Sequence, residues 1–193
     1  MAGTRGTYGF ASNQKVKLTY NHFDSFPEGL GVIIVDFCKR TTAENGWDKL
    51  RVAVDAVVMV DENTKMSEDE AKRYFPKKKS FPKMPTWYEA LHSYQGGKIL
   101  DAIANGEVGH MTEGGDFPKN SGFCDFCYII DLNNMTLDVY IGKQKKADPN
   151  SYFGQEKTED GWYPCKFLAT WWLNDIPADW DKQIEKAMKE KKS

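Results

Sequence analysis

The segment from 20 to 31, Tyr-Asn-His-Phe-Asp-Ser-Phe-Pro-Glu-Gly-Leu-Gly, collects side chains that can bind a ligand or move a proton. Histidine titrates near neutral pH, so His22 can act as a hydrogen-bond donor or a general base, and a nearby carboxylate such as Asp24 can orient its ring. The same pattern fits a structural role, in which Asp24 caps the next helix or forms a turn before Pro27. The sequence leaves both interpretations open.

The N-terminal residues are expected to lie beside this segment. Two β-prone runs, at 5–10 and 15–20, flank a turn centred near Asn13. This pattern predicts a hairpin that places residues 3–5 opposite residues 20–22. Arg5 offers a planar, two-pronged donor for a phosphate or carboxylate group, unless it simply pairs with Asp24. The ligand-binding residues predicted in this region are Thr4, Arg5, Tyr20, Asn21, His22 and Asp24.

Six tryptophans and nine tyrosines exceed what a core of this size needs. In an adjacent pair such as Trp87-Tyr88, one ring is expected to point away from the core. Exposed rings stack on planar ligands or anchor partner proteins. We therefore add Trp87 and Tyr88 to the predicted ligand-binding residues, with core packing as the alternative.

The cysteines and histidines lack the spacing of a metal site. Cys124-x-x-Cys127 has no second pair of ligands, because Cys38 and Cys165 stand alone in the sequence. Strand alternation is also expected to place Cys124 and Cys127 on opposite faces. The sequence contains no Walker loop, G-x-S-x-G elbow or dinucleotide-binding G-x-G-x-x-G after a strand. We expect no metal and no cofactor.

Length and charge limit the class of partner. At about 150 residues per domain, 193 residues predict a single domain (1–193), with a basic insertion at about 72–85 and a long polar loop at about 142–161. The 26 Lys and Arg nearly balance the 28 Asp and Glu, which argues against a long nucleic acid as the partner. The longest apolar stretch is too short to span a membrane, and no export signal is evident. We expect a cytoplasmic protein that does not engage a membrane, and homo-oligomerisation stays open.

The order of elements predicts an α+β fold. Helices are expected after Gly31, over 47–60, from a capping box at Ser67, from Thr86 to Gly96, over 98–104 and after Pro177. Alternating residues predict a hairpin at 128–141 that turns at Asn133-Asn134, and a strand at 162–170. We expect one antiparallel sheet, built from the N-terminal and C-terminal hairpins and covered on one face by helices from the middle of the chain. The loop at 142–161 is a candidate lid.

Several segments together resemble a family of small phage, bacterial and fungal proteins that begin near Met-Gly-Thr-Arg and carry a Tyr-Asn-His-Phe-Asp-Ser-Tyr-Pro-x-Gly-Leu-Gly box. The matching segments are Gly3-Thr-Arg-Gly6, the box at 20–31, Trp87-Tyr88 with Gln95-Gly96, and Phe123-Cys-Asp-Phe-Cys-Tyr-Ile-Ile-Asp-Leu-Asn133 running into Thr136-Leu-Asp-Val-Tyr140. This chain departs from the pattern by the extra residue Ala2 and by the enlarged basic insertion. The resemblance is consistent with a phage origin and implies no activity.

Three functions follow as hypotheses. The first is a binding protein that captures a small, planar, anionic ligand derived from a nucleotide. In a phage, such capture would sequester a host immune signalling nucleotide in the host cytoplasm. The second is a hydrolase or phosphodiesterase that cleaves such a nucleotide, with His22 as acid or base and Asp24 as its orienter. The third is a protein-interaction inhibitor that blocks a host factor through exposed tryptophans.

Overall fold

A computed structural model describes residues 3–190. The strands are β1 (Gly6–Ser12), β2 (Lys15–Asn21), β3 (Val58–Val60), β4 (His110–Thr112), β5 (Phe126–Asp131), β6 (Thr136–Ile141) and β7 (Lys166–Trp172). The helices are α1 (Val32–Ala43), α2 (Trp47–Ala56), α3 (Glu68–Tyr74), α4 (Trp87–Leu91), α5 (Lys98–Ala104) and α6 (Trp180–Glu190), with a π-helical turn at Pro27–Gly31 and 3₁₀ turns at His92–Tyr94 and Phe117–Lys119. The predicted α+β class is confirmed.

The main sheet has the strand order β2-β1-β5-β6-β7. The two expected hairpins, β1–β2 and β5–β6, are both present and antiparallel. The two hairpins are joined by β1 and β5, which pair in parallel. The sequence predicted an antiparallel sheet and did not indicate this parallel pair. The segment between β2 and β5 contains most of the helices, and β5 then pairs in parallel with β1. This segment is therefore one long crossover connection.

The register of the first hairpin decides which side chains meet. Asn13 and Gln14 both have positive φ, and the pairs run from Ser12 with Lys15 to Gly6 with Asn21. Because the turn is centred between Asn13 and Gln14, continuing this register sets Arg5 opposite His22. The expected register, centred one residue earlier, set Arg5 opposite Tyr20.

The region predicted as one helix over 47–60 divides into two elements. Helix α2 ends at Ala56, and residues 58–60 form β3, which pairs in parallel with β4. The β-branched residues Val57, Val58 and Val60 favour an extended chain. The buried Lys17 ammonium of β2 caps the end of α2 by donating to the carbonyl oxygens of Val54, Asp55 and Val57, at 2.8, 3.1 and 2.7 Å.

Both faces of the sheet are covered, although the sequence predicted helices on one face only. Tyr8, Phe10 and Tyr128 belong to the main core beneath the helices. On the other face, Phe153 of the 142–161 loop packs on Tyr140, with 5.1 Å between ring centroids. The buried Asp148 of the same loop accepts the backbone N–H of Phe167. The loop therefore acts as a cover for this face of the sheet.

Two local expectations are corrected. In the β5–β6 hairpin the positive φ belongs to Met135, and the Asp131 carboxylate accepts the N–H groups of Asn133 and Asn134, so the turn is wider than the expected two-residue turn. The last strand begins at Lys166 instead of 162, since residues 162–165 run alongside neighbouring loops.

Candidate functional site

A surface groove lies where β2, the turn after β3 and the segment from α4 to Gln95 meet. It contains two cavities that share Tyr20 and Glu62. The first, called here the aromatic cavity, has a volume of about 370 Å³ and is lined by Tyr20, His22, Phe23, Glu62, Tyr88, His92 and Gln95. The second, the acidic cavity, has a volume of about 600 Å³ and is lined by Tyr20, Glu62, Thr112, Glu113, Gly114, Asp116, Phe117, Asn120 and Phe123. Both volumes are in the range of small-molecule sites.

A hydrogen bond joins Tyr20 to His22, and Arg5 lies beside Tyr20. The Tyr20 hydroxyl and His22 Nδ1 are 2.7 Å apart. The Arg5 guanidinium lies over the Phe123 ring, 5.4 Å from its centroid. Burial raises the pKa of Tyr20, and the positive charge of Arg5 opposes that shift. Tyr20 therefore remains protonated at neutral pH and can donate to His22.

Asp24 does not take the place predicted for it beside the His22 ring. Its backbone has a positive φ of 54°, and its carbonyl oxygen accepts the Leu30 N–H at 2.8 Å. A Cβ on Gly29 would lie 2.3 Å from that oxygen, so this close approach requires glycine. Asp24 lines a separate apolar cavity with Phe23 and Ile33. Within residues 3–190, neither His22 nor Arg5 pairs with its carboxylate, so Tyr20 holds the His22 ring.

The hydrogen bonds of the Asn21 side chain hold one wall of the groove in place. Its buried side chain donates to the Ser25 hydroxyl at 2.8 Å and accepts the Gly96 N–H at 2.9 Å. The box at 20–31 is thereby tied to the residue after Gln95. Gly97 follows with a φ of 85°, and a Cβ there would lie 2.5 Å from Ile33. The segment that carries Gln95 is therefore held in one conformation.

The adjacent aromatic pair separates as expected, with one ring inside and one outside. Tyr88 is 50% exposed and stacks on His92, with 5.1 Å between centroids and 17° between planes. Trp87 is 3% exposed and stacks on His110 in the core. Thr86 caps α4 through a capping box, which turns the first helical residue inward and the second outward. Tyr88 therefore lines the groove, and Trp87 does not reach it.

The remaining predicted residue, Thr4, contributes through its backbone. Its carbonyl oxygen accepts the Ser25 N–H at 3.1 Å, which continues the hairpin toward the box. The structure thus brings Tyr20, His22 and Tyr88 together on the walls of the aromatic cavity. The other predicted residues, Thr4, Arg5, Asn21, Asp24 and Trp87, line neither of the two cavities, although Arg5 lies over the ring of Phe123, which lines the acidic cavity.

Sequence reasoning missed Glu62, Gln95 and His92. Glu62 lies in the turn after β3, where its carbonyl oxygen accepts the Tyr88 N–H at 2.8 Å. The prediction of a helix through residue 60 concealed this turn. No local signal identifies Glu62, because its place in the groove depends on the pairing of β3 with β4.

The charged residues that line the two cavities, Glu62, Glu113 and Asp116, are acidic, and the basic insertion is not among the walls. Neither cavity is lined by residues 72–85. Lys72 pairs with Glu68 at 2.7 Å, and Lys78 lies over the Phe75 ring. Arg5 lies beside Tyr20 and over the Phe123 ring, and it is the cation that the structure sets against residues of the groove wall.

The cysteines do not follow the predicted alternation. Cys124, Cys127 and Cys165 all lie in the buried cluster on the second face of the sheet. Cys124 precedes β5, so strand alternation does not apply to it. Burial raises the pKa of the Cys127 thiol. Within residues 3–190, no group of three or more His, Cys, Asp or Glu side chains is arranged to hold a metal ion.

In the same described range, no helix is both long and apolar enough to cross a membrane. Comparison with protein-family models, curated proteins and solved structures finds no match to this chain.

Proposed function

We propose that this protein is a small-molecule binding protein that captures a planar, nucleotide-derived ligand in the groove. The observation that carries the proposal is the aromatic cavity, which has two large exposed rings on its walls, Tyr88 at 50% and Phe23 at 62% exposure. Exposed rings beside a preformed cavity are suited to stacking on a heterocyclic base.

Arg5 supports an anionic group at the other end of the ligand. Its guanidinium lies over the Phe123 ring and beside Tyr20, and within residues 3–190 it makes no ion pair. A guanidinium that is positioned but not neutralised is suited to a phosphate. The carboxylates of Glu113 and Asp116 in the acidic cavity oppose a long polyanion, which supports a small ligand over a nucleic acid strand.

The second candidate, hydrolysis of the nucleotide, is favoured by the hydrogen bond between Tyr20 and His22, with Arg5 beside Tyr20. When Tyr20 donates to Nδ1, the neutral imidazole carries its proton on Nε2 and offers a donor toward the groove. This tautomer suits binding of a phosphate oxygen better than removal of a proton, so we prefer capture. Sequestration of a host immune signalling nucleotide by a phage protein stays a prediction from the sequence.

Ligand recovery tests the proposal directly. The protein is incubated with a mixture of nucleotides, separated from unbound material and denatured by heat, and the released compounds are identified by mass spectrometry. An intact nucleotide at near-stoichiometric yield is the expected result. A cleaved nucleotide, formed over many turnovers, would support the hydrolase instead. No recovered nucleotide would overturn both and favour the protein-interaction function.

Variants of the groove connect the bound ligand to this site. Tyr88→Ala removes one stacking surface and should weaken binding of the recovered nucleotide by roughly 5- to 100-fold. Arg5→Gln should weaken it as well, and more strongly at low salt, where charge interactions are least screened. Tyr152→Ala is the matched control, since this tyrosine is 59% exposed and lies outside the groove. Equal affinities in the Tyr88 and Tyr152 variants would place the ligand elsewhere.

A further inference from the structure

We propose that the aromatic cavity selects guanine over adenine, with Glu62 and Gln95 as the residues that determine specificity. This inference rests on the proposed function and names the base that the groove accepts. It depends on the hydrogen-bonding groups that these two side chains contribute to the cavity that the exposed rings of Tyr88 and Phe23 also line.

Glu62 offers a carboxylate whose backbone is firmly placed. The turn that carries it is closed by a hydrogen bond from the Thr64 N–H to the Asp61 carbonyl, and the Glu62 carbonyl accepts the Tyr88 N–H. Within residues 3–190, the Glu62 carboxylate itself makes no hydrogen bond and no ion pair, and it lines both cavities. Two acceptor oxygens are therefore available beside the ring of Tyr88.

Gln95 offers a donor to the same cavity. Its Oε1 accepts the backbone N–H of His22 at 3.4 Å, and a backbone N–H can only donate. This contact identifies the oxygen of the amide and leaves Nε2 as the group available to a ligand. Asn21 holds the neighbouring Gly96, so the position of Gln95 is set by the fold.

An acceptor pair and a donor in one cavity suit the Watson–Crick edge of guanine. Guanine presents the adjacent donors N1–H and N2–H₂, which fit the two oxygens of one carboxylate, and the acceptor O6, which fits an amide N–H. Adenine presents the unprotonated N1, which would face the Glu62 carboxylate with no proton between them. Leaving a desolvated polar group unpaired is costly, so the same wall disfavours adenine.

A quaternary ammonium ion is the competing occupant, because aromatic rings with one carboxylate also suit such cations. The Gln95 side chain favours guanine. Its amide donor has no acceptor to bind on a methylated ammonium group, whereas it can bind O6 of guanine. We therefore commit to guanine.

Titration calorimetry with GMP, IMP, AMP and choline tests the inference. The parent protein should bind GMP roughly tenfold or more tightly than AMP, as expected for loss of a paired base contact, with IMP between them because it lacks the 2-amino group. Glu62→Gln should remove most of this preference. Glu44→Gln, which changes the same charge on the exposed end of α1, should keep it. Melting curves confirm that each variant is folded.

The outcomes separate the two proposals. Equal binding of GMP and AMP, with both weakened by Tyr88→Ala, would overturn guanine selection and leave nucleotide capture in place. A preference that persists in Glu62→Gln would also overturn the assignment to Glu62. Binding of choline without any nucleotide, or of none of the four compounds together with no nucleotide recovered from the pool, would overturn both proposals.

Discussion

Replacement of Lys17 by methionine should destabilise the protein by about 2–4 kcal/mol. The Lys17 ammonium is buried and donates to three carbonyl oxygens at the end of α2. Methionine retains the apolar stem and removes only the charged donor. The change therefore isolates the contribution of the ammonium to the junction between α2 and β3.

The magnitude follows from the partners that each carbonyl retains. The Val54 oxygen still accepts the Val57 N–H at 3.1 Å, so it keeps one hydrogen bond. The buried Val57 oxygen loses its ammonium partner, and an unsatisfied buried group costs about 1–3 kcal/mol. Asp55 is exposed and its bond to Lys17 is only partly buried, so that bond contributes the usual net value of about 0.5–1.5 kcal/mol. Burial lowers the pKa of Lys17, so desolvation of the charge offsets part of this gain. The net loss therefore falls below the sum of the two contributions.

Chemical denaturation and thermal melts measure this loss. For a chain of this length, about 2–4 kcal/mol corresponds to a fall in melting temperature of roughly 5–15 °C. Lys15→Met is the control, since Lys15 lies on the same strand and is exposed. The free energies of unfolding of the two variants are then compared. If they differ by less than about 0.5 kcal/mol, a value typical of surface substitutions, the Lys17 ammonium does not stabilise the end of α2.

Two further predictions concern histidines. His22→Gln should change nucleotide affinity by about 0.5–1.5 kcal/mol, the net contribution of one hydrogen bond, with no product from parent or variant; turnover that is lost in the variant would identify His22 as catalytic. Burial lowers the pKa of His110, whose Nδ1 lies 2.7 Å from the Tyr74 hydroxyl. Below about pH 6.5, His110 therefore binds a proton more readily in the unfolded chain than in the folded protein. As the pH decreases, the free energy of unfolding should decrease until the pH passes the pKa of His110 in the folded state. Denaturation curves recorded at successive pH values measure this decrease in the free energy of unfolding, and we expect it to be absent from His110→Gln. An identical decrease in the variant would show that other groups cause it.

Short-range patterns determined much of the fold. The turn at Asn13 fixes a hairpin because both strands are β-prone and the turn residues tolerate positive φ. Ser67 and Thr86 each start a helix through a capping box, which needs only residues three positions apart. The same hairpin places Arg5 near the box at 20–31, as the sequence predicted. The turn shifts the register, so that Arg5 lies opposite His22 instead of Tyr20.

The tertiary structure decided which of these side chains form a site. Trp87 and Tyr88 are neighbours in sequence, yet the packing of α4 against β4 buries the first and exposes the second. Glu62 and Tyr20 line the same cavities because β3 pairs with β4. This pairing requires α2 to end one turn earlier than helical spacing predicts, and the Lys17 ammonium caps that end. Contacts between residues more than 40 positions apart depend on how whole elements pack, and periodicity within one segment carries no information about that packing. The sequence therefore determined the elements and the Arg5–His22 neighbourhood, and long-range pairing determined the groove.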